Sequence, residues 1–340
     1  MDKKLNGDQL AAVQYIKTPL LIIAGAGTGK TTVITEKIKY LIGQEIKPEE
    51  ILALTFTEKA SQEMQDRVDE ALPLGYSQMW IMTFHSFCDR ILRADGLHIG
   101  LDTNYTLMTQ TDSLSLLKKN IFNLDLKYFL PLGNPHKFLS SLLTHFSRLA
   151  DEDISPKHYL DWAKEEQYIE AAKAYELYQQ LKTKKSKLDF ADLITYTLKL
   201  YRDRPAILAK YQTRFKYLLV DEFQDTNYAQ NQLINLLTSN SPNLTVVADD
   251  DQSIYRFRGS SISNVTQFKK TYPTAKIIVL SQNYRSTQTI LDASYRLISH
   301  NNPDRLEVTE KINKKLTAVR KDKEYPIEFI HTNSVDQEAD

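Results

Sequence analysis

The stretch Pro19-Leu20-Leu21-Ile22-Ile23-Ala24-Gly25-Ala26-Gly27-Thr28-Gly29-Lys30-Thr31-Thr32 decides the fold. Its apolar run, Leu20 to Ile23, predicts a strand that is buried on both faces. Three glycines within five residues then interrupt the run, and a segment of helical character follows. Because glycine lets successive backbone N–H groups turn toward a polyphosphate at a helix N-terminus, this order predicts a phosphate-binding loop. A glycine-rich turn without a ligand is the alternative.

Two side chains at the end of this loop have the chemistry that a nucleoside triphosphate requires. Lys30 would reach the β- and γ-phosphates, and the Thr31 hydroxyl would be a ligand of Mg²⁺. The strict pattern begins with glycine, whereas this chain has Ala24, a small residue that should still fit the turn. We therefore predict that the loop binds a nucleoside triphosphate.

Composition sets limits on what this 340-residue chain can be. Its length allows two or three domains, and 42% hydrophobic and 25% charged residues are ordinary for a soluble globular protein. No apolar run approaches the length of a transmembrane helix, and the polar start does not resemble a signal peptide. The single cysteine, Cys88, excludes an internal disulfide framework and fits a reducing cytoplasm. Basic and acidic residues both number 43, so a nucleic-acid site must be a local patch.

Strands alternate with helices after the loop. Residues 51–55 and 80–82 read as strands, separated by an amphipathic helix over 58–72, which predicts a parallel sheet with right-handed crossovers. Ligands of such sheets lie beyond the carboxyl ends of the strands. The residues expected on this binding edge are Phe56, Thr83 and His85. The alternative buries Phe56 and Phe84 in the core and leaves His85 merely hydrogen-bonded.

The pattern becomes helical from about residue 91 to residue 187. Helical segments are expected over 112–120, 136–150 and 166–182, which indicates an all-α insertion. The basic run 182–187 could contact phosphates, but we favour a solvated loop. The sheet resumes after it, with Asp189 as a predicted helix cap.

Acidic residues mark the second half of a hydrolase site. The buried strand over 216–220 ends in Asp221 and Glu222. Asp221 can hold Mg²⁺ through water, and Glu222 can polarise the attacking water as a general base. The alternative is that both acids only solvate the strand end or cap the next helix.

Polar motifs follow the last two predicted strands, 244–248 and 277–280. The run Asp249 to Asp251 could suggest a metal cage, but it lacks the oxygen-ligand spacing of a Ca²⁺ loop. Gln252 could instead sense the γ-phosphate, and Arg285 lies where a cation could meet the same group. The side chains that could stack on unpaired bases or contact their phosphates are Tyr255, Phe257 and Arg258.

The order and spacing of these motifs resemble the UvrD/PcrA/Rep-like superfamily 1 DNA helicases. The resemblance covers essentially the whole chain and implies an α/β fold, namely a RecA-like P-loop NTPase domain with a parallel sheet plus an all-α inserted subdomain. It divides the chain into a RecA-like domain (1–90 and 188–280), an accessory subdomain (91–187) and the start of a second RecA-like domain (281–340).

The resemblance also implies roles for individual residues, with ATP and Mg²⁺ as cofactors. Gln9 would read the adenine and Tyr284 would stack on it. The catalytic residues would be Lys30, Asp221, Glu222, Gln252 and Arg285, and the metal ligands Thr31 and Asp221. The nucleotide would contact Gln9, Ala24, Gly25, Ala26, Gly27, Thr28, Gly29, Lys30, Thr31, Thr32, Tyr284 and Arg285. Single-stranded DNA would contact Phe56, Thr83, His85, Tyr255, Phe257 and Arg258.

Several positions depart from the family pattern. Glu58 stands where the family usually has Asn, Thr32 replaces a common Arg, and Phe257 replaces a Trp that stacks on bases. Only the opening of the second RecA-like domain is present, and a strand expected at 327–330 has no neighbour to pair with. We therefore expect the chain to be a fragment.

The predicted function is the N-terminal, ATP-binding portion of an ATP-dependent 3′→5′ DNA helicase of repair or replication. Its partner would be single-stranded DNA, such as the tail of a 3′-tailed duplex, bound without sequence preference and in the cytoplasm. Translocation would need the missing second RecA-like domain. Three alternatives are a catalytically weak nucleotide- and DNA-binding module, the helicase part of an AddA/RecB-like recombination nuclease, and a nucleotide kinase.

Overall fold

A parallel sheet positions every candidate site residue. The structure is a computed structural model and describes residues 5–70, 79–124, 126–127, 135–239, 243–253, 262–321, 325–329, 331–332, 334 and 336. Within these ranges the main sheet has six strands, β1 (Leu20–Ala24), β2 (Ile51–Thr55), β3 (Trp80–Thr83), β6 (Tyr217–Val220), β7 (Leu244–Ala248) and β8 (Lys276–Leu280). All six are parallel, and their order is β3-β2-β6-β7-β1-β8.

Two small parallel pairs lie outside this sheet. They are β4 (Thr106–Leu107) with β5 (Lys187–Leu188), and β9 (Gln282–Asn283) with β10 (Thr317–Ala318).

Helices connect the strands and cover the sheet. They are α1 (Gly7–Gln14), α2 (Lys30–Gly43), α3 (Glu58–Asp69), α4 (Phe84–Asp95), α5 (Gln110–Lys119), α6 (Pro135–Asp151), α7 (Pro156–Trp162), α8 (Glu166–Lys184), α9 (Phe190–Asp203), α10 (Pro205–Arg214), α11 (Tyr228–Thr238), α12 (Ile262–Thr266), α13 (Phe268–Thr271), α14 (Gln288–Ile298) and α15 (Leu306–Thr309). In the described part of the chain no helix is both long enough and apolar enough to span a membrane.

The central strands are buried on both faces, which explains their continuous apolar sequence. All five residues of β1 are buried. Leu21 and Ile23 belong to the core cluster that includes α4, α9 and α11, whereas Leu20 and Ile22 belong to the cluster with α1 and α2. The α/β fold and the parallel sheet that the sequence predicts are therefore present.

The helical segments of the middle of the chain have their own core. The helices expected over 112–120, 136–150 and 166–182 are confirmed as α5, α6 and α8. Apolar side chains of these helices form a third cluster, separate from the two on the faces of the sheet. Asp189 is confirmed as a cap, since its carboxylate accepts a hydrogen bond from the Asp192 N–H at 3.0 Å. The domain limits at residues 90, 187 and 280 stay a prediction.

The interpretation of 182–187 as a solvated loop is wrong for residues 182–184, the start of the run. Helix α8 continues to Lys184, and the Lys182 side chain is only 1% exposed. Its ammonium group lies 2.6 Å from a carboxylate oxygen of Asp189 and 2.6 Å from one of Asp192. Burial raises the pKa of Asp192 to about 6, although the nearby Lys182 charge favours the ionised carboxylate. A charge run alone cannot reveal such pairing, because it depends on acids that follow the turn.

The prediction of a strand at 327–330 is also wrong, as far as the described residues 327–329 show. Residues 325–329 have no regular secondary structure, and Ile330 lies outside the described residues. Strands are stabilised by hydrogen bonds to neighbouring strands, and none of the described strands pairs with this segment.

One polar contact joins α6 to the cap of α11. The Asn227 side chain donates a hydrogen bond to the Asp151 carboxylate at 2.7 Å. Burial raises the pKa of Asp151 to about 7, and the charge of Glu152 adds to this, while the Asn227 hydrogen bond opposes it. The carboxylate form is therefore costly here at neutral pH.

We predict that Lys182→Met lowers the free energy of unfolding by about 3–5 kcal/mol, because it leaves the buried Asp192 and the partly buried Asp189 without their counter-ion. Urea unfolding followed by circular dichroism measures the change. Lys184→Met is the matched control on an exposed position of the same helix and should change stability by less than about 0.5 kcal/mol. A loss below about 1 kcal/mol for Lys182→Met would contradict the prediction.

We predict that Asp151→Asn stabilises the protein at pH 8 and not at pH 4. The folded pKa of about 7 lies above the unfolded value of about 3.9, so the stability of the wild type falls as pH rises between them. The neutral amide keeps the Asn227 contact without this cost, and we expect a gain of about 1–3 kcal/mol at pH 8. Equal effects at both pH values in urea titrations would contradict this reasoning.

Candidate nucleotide and nucleic-acid sites

The loop between β1 and α2 requires glycine at two positions. Gly27 and Gly29 have φ angles of +77° and +92°, which are unfavourable for other residues. A Cβ atom at Gly29 would lie 2.9 Å from Nε2 of Gln9, and one at Gly27 would lie 2.6 Å from Cβ of Arg285. Ala24 remains part of β1 and is fully buried, so its methyl group packs in the core without obstructing the loop.

Lys30 brings three of the predicted catalytic residues together. Its ammonium group donates to Oε2 of Glu222 at 2.7 Å and to Oε1 of Gln252 at 3.1 Å. These partners follow β6 and β7, so the contacts join three strand ends of the sheet. An ammonium group flanked by polar acceptors at a helix N-terminus has the chemistry to hold phosphate oxygens.

The two acids after β6 have different environments. Asp221 is 4% exposed, and burial, together with the charge of Glu222, raises its pKa to about 7, against the opposing effects of Lys30 and of a hydrogen bond with Thr31. Glu222 is less buried and has a φ angle of +49°, a strained conformation for this residue type that is typical of functional sites. Because Thr31 and Asp221 offer adjacent hard oxygen donors, the donor set fits Mg²⁺.

Gln9 connects α1 to the phosphate loop. Its N–H and its Oε1 form a reciprocal capping box with Asn6, and its Nε2 donates to the Thr28 carbonyl oxygen at 2.9 Å. The side chain is 5% exposed. The sequence did not predict this hydrogen bond, through which Gln9 holds the loop backbone in place. Recognition of adenine by Gln9 stays a prediction.

Asn283 fixes the segment 283–286 to the phosphate loop. Its Nδ2 donates to the Ala26 carbonyl oxygen at 2.5 Å, and its Oδ1 accepts the Arg285 N–H at 2.9 Å. The Tyr284 N–H donates to the Gly27 carbonyl oxygen, and the Tyr284 hydroxyl accepts a hydrogen bond from the Asn6 side chain at 2.8 Å. The loop and this motif therefore border one cleft.

The cleft has a volume of about 550 Å³, enough for a nucleotide. It is lined by Leu5, Gln9, Ala26, Gly27, Gly29, Lys30, Thr31, Thr32, Glu63, Arg67, Glu222, Gln252, Tyr284 and Arg285. Most of the residues predicted for the adenine, the phosphates and catalysis thus line one cleft. The predicted residues that are not part of its lining are Ala24, Gly25, Thr28 and Asp221. Glu63 and Arg67, an exposed pair on α3, are additional members that the sequence did not indicate.

Gln224 is a further residue that the sequence reasoning missed. It is 1% exposed, donates to Oε2 of Glu222 at 2.6 Å and accepts the Asp249 N–H at 3.0 Å. Since it links β6 to β7 behind the catalytic groups, it limits the positions open to Glu222.

The three adjacent carboxylates Asp249 to Asp251 are close enough together for one cation. Their ion-pair partners are Lys314 for all three and Arg305 for Asp251. The absence of Ca²⁺-loop spacing in this run agrees with that pairing.

The predicted DNA residues that the structure describes lie at the ends of β2 and β3. Thr83 caps α4, and its hydroxyl donates to Glu58 Oε1 at 2.8 Å. Phe56 is partly exposed, whereas Phe84 is 2% exposed and belongs to the core. Tyr255, Phe257 and Arg258 lie outside the described residues.

His85 has an aromatic neighbour that the sequence reasoning did not single out. Its ring meets that of Phe190 edge to face, with 6.0 Å between the centroids. Phe190 is 52% exposed. Burial lowers the pKa of His85, with the charge of Glu58 opposing the shift, so the imidazole is mainly neutral at pH 7. This edge of the sheet therefore offers the aromatic surface of His85 and Phe190.

Comparison with known proteins finds similar chains among DNA helicases. An ATP-dependent DNA helicase PcrA from Leuconostoc citreum is 41% identical over 316 residues, which are 92% of this chain and 40% of that protein. The ATP-dependent DNA helicase PcrA of Staphylococcus epidermidis is 42% identical over 302 residues, or 88% of this chain and 40% of the relative. Among solved structures, the Pif1 helicase from Candida albicans has a TM-score of 0.42 and 14% identity, over 89% of this chain and 46% of that one.

The chain spans 40% of the length of the PcrA relatives. The model of the UvrD/REP helicase N-terminal domain matches residues 5–273, which is most of the sequence. The chain therefore belongs to the family of UvrD/REP helicase N-terminal domains.

Proposed function

We propose that the chain is the ATP-binding portion of a DNA helicase, which hydrolyses ATP and couples hydrolysis to movement along single-stranded DNA in the 3′→5′ direction. The observation that carries this proposal is the position of Lys30, whose ammonium group lies between Glu222 and Gln252 at the N-terminus of α2. The acid, the amide and the phosphate loop are thereby held within reach of one phosphate group.

In the proposed reaction a water molecule attacks the γ-phosphorus in line with the bond to the leaving ADP oxygen. Glu222 orients the water and accepts its proton, and Lys30 and Arg285 offset the charge on the γ-phosphate oxygens. Thr31 and Asp221 would hold Mg²⁺, which would supply positive charge to offset that of the phosphate oxygens. Gln252 would sense the γ-phosphate, since it lies beside Lys30 and carries no charge of its own.

The Lys30–Glu222 ion pair has a consequence for nucleotide binding. The same ammonium group cannot pair fully with Glu222 and with the phosphates, so a triphosphate competes with Glu222 for Lys30. Binding would then release the carboxylate to act on water. The partial exposure of Glu222, 34% for its side chain, leaves it accessible to that water.

Single-stranded DNA would lie along the ends of β2 and β3. Phe56, His85 and Phe190 offer aromatic surface there, and stacking on aromatic rings tolerates any base sequence. Glu58 accepts hydrogen bonds from the hydroxyls of Thr83 and Ser86, which would otherwise be available to a DNA phosphate. We therefore propose binding without sequence preference, as for the tail of a 3′-tailed duplex.

Translocation would require the present chain to close and open against a second RecA-like domain during each ATP cycle. We place this activity in the cytoplasm, in DNA repair or replication. The comparisons do not favour an AddA/RecB-like nuclease or a weak binding module.

We predict opposite effects on ATP binding for two substitutions in the site. Lys30→Ala should weaken the binding of fluorescent ATP with Mg²⁺ by at least about tenfold, because a charge-assisted contact is lost. Glu222→Gln should bind ATP as well as or better than the wild type, because Lys30 loses its competing carboxylate, while DNA-stimulated turnover falls by about 10²–10⁴. Lys39→Ala, on the outer face of α2, is the control. Unchanged binding and turnover in both variants would refute the site.

We also predict that Phe56→Ala and Phe190→Ala each weaken binding of a fluorescent oligo-dT by about tenfold, in line with about 1–3 kcal/mol for each lost stacking contact. Fluorescence anisotropy at fixed salt measures the affinity, since salt alone changes it strongly. Phe122→Ala is the matched control, because Phe122 is 97% exposed and lies in the helical segment of the chain. If Phe122→Ala has the same effect as the other two, the DNA edge is misplaced.

A further inference from the structure

We propose that Lys314, supported by Arg305, positions Gln252 for recognition of the γ-phosphate, so that the distinction between ATP and ADP depends on the segment after α14. The inference rests on the proposed function of Gln252. Lys314 is a positioning residue in this account, because its contact with the cleft passes through Asp249.

Lys314 has all three of its donors engaged by acids. Its ammonium group lies 3.0 Å from Asp249 Oδ1 and 2.7 Å from Asp251 Oδ2, and it also bonds to Asp250 Oδ1. The Lys314 side chain is 4% exposed. Three neighbouring carboxylates repel each other strongly when they are shielded from water. The geometry of the segment Asp249 to Asp251, here called the acidic turn, therefore depends on this cation.

Arg305 and its neighbour hold the other side of the acidic turn. The guanidinium group of Arg305 bonds to both oxygens of Asp251 at 2.7 and 2.8 Å, and the Leu306 N–H donates to Asp250 Oδ2 at 2.8 Å. Such bidentate pairs fix orientation as well as distance. The segment 305–314 and the acidic turn therefore form one rigid unit across 65 residues of sequence.

Gln252 is the point at which this unit meets the nucleotide cleft. Its Nε2 donates to Asp249 Oδ2 at 2.6 Å, while its Oε1 accepts from Lys30 at 3.1 Å. A carboxylate only accepts and an ammonium only donates, so these two neighbours set which end of the amide faces the cleft. The second oxygen of the same Asp249 carboxylate is the one bonded to Lys314.

A continuous path of charge-assisted hydrogen bonds thus runs from Lys30 through Gln252 and Asp249 to Lys314. Any movement of the segment 305–314 that withdraws the ammonium group would release Asp249 and let the Gln252 amide rotate. By linkage, a triphosphate that draws Gln252 toward the γ-phosphate would in turn favour one position of that segment.

The test is the ratio of the dissociation constants for Mg²⁺·ADP and Mg²⁺·AMP-PNP, measured on the 340-residue chain by competition with a fluorescent nucleotide. We expect Lys314→Met to reduce the wild-type preference for AMP-PNP by about tenfold, similar to Gln252→Ala. Lys314→Arg should restore most of the preference, because it keeps a cation among the carboxylates. The control Lys315→Met removes an adjacent lysine that is 54% exposed and should leave the ratio unchanged.

Because Lys314→Met removes the cation that the three acids share and so destabilises the turn, thermal unfolding is measured for every variant. If it does not fold, the double variant Lys314→Met/Asp250→Asn, which removes one charge of each sign, replaces it. An unchanged ratio, an equal loss of affinity for both nucleotides, or a wild type without any preference would overturn the inference. Failure of the proposed function looks different, since Lys30→Ala would then bind AMP-PNP as well as the wild type does.

Discussion

The ammonium group of Lys30 is the contact on which the arrangement of the site depends. Lys30 begins α2, directly after the loop that follows β1, and it bonds to the side chains that follow β6 and β7. Each partner is held from behind, Glu222 by Gln224 and Gln252 by Asp249. Because Gln224 also bonds to the Asp249 backbone, these residues form a closed ring of hydrogen bonds, and moving one side chain breaks its bond to a neighbour.

The order of the strands explains why this ring of hydrogen bonds is possible and where DNA would be relative to it. β1 lies between β7 and β8, so the loop has the Gln252 motif on one side and the Arg285 motif on the other. β2 and β3 occupy the opposite end of the sheet and carry Phe56, Thr83 and His85. Since all strands are parallel, both groups lie on one edge, with β6 and its acids between them. A change at the proposed nucleotide cleft would thus have to pass only the ends of neighbouring strands to reach the proposed DNA edge.

The sequence predicted the parts of this site that depend on local pattern. A strand, a glycine loop and a helix are recognisable from neighbouring residues, as are the acids at the end of β6, because each requirement is met within a few positions. The roles of Lys182 and Lys314 could not be predicted in this way. Both lie in basic stretches that look solvated, and their burial follows from acids whose positions only the folded chain defines. Gln9 and Asn283 are intermediate cases, since their motifs were evident but their hydrogen bonds to the loop were not.

Buried lysines join separate segments at three places in the described part of the chain, namely Lys37, Lys182 and Lys314. Lys37 donates to the Ala12 carbonyl oxygen near the end of α1 and so joins the helix that carries Gln9 to α2, just as Lys314 joins the acidic turn to the segment after α14. Apolar side chains would join two such segments at a lower desolvation cost, but they would allow the segments to shift relative to each other. Displacing Lys314 leaves three carboxylates without their shared cation. Lys37 instead bonds to neutral carbonyl oxygens, and burial lowers its pKa to about 7. The zero net charge of the chain therefore conceals a structural use of charge, in which the buried cation of Lys314 sets the geometry of the turn beside the proposed nucleotide site.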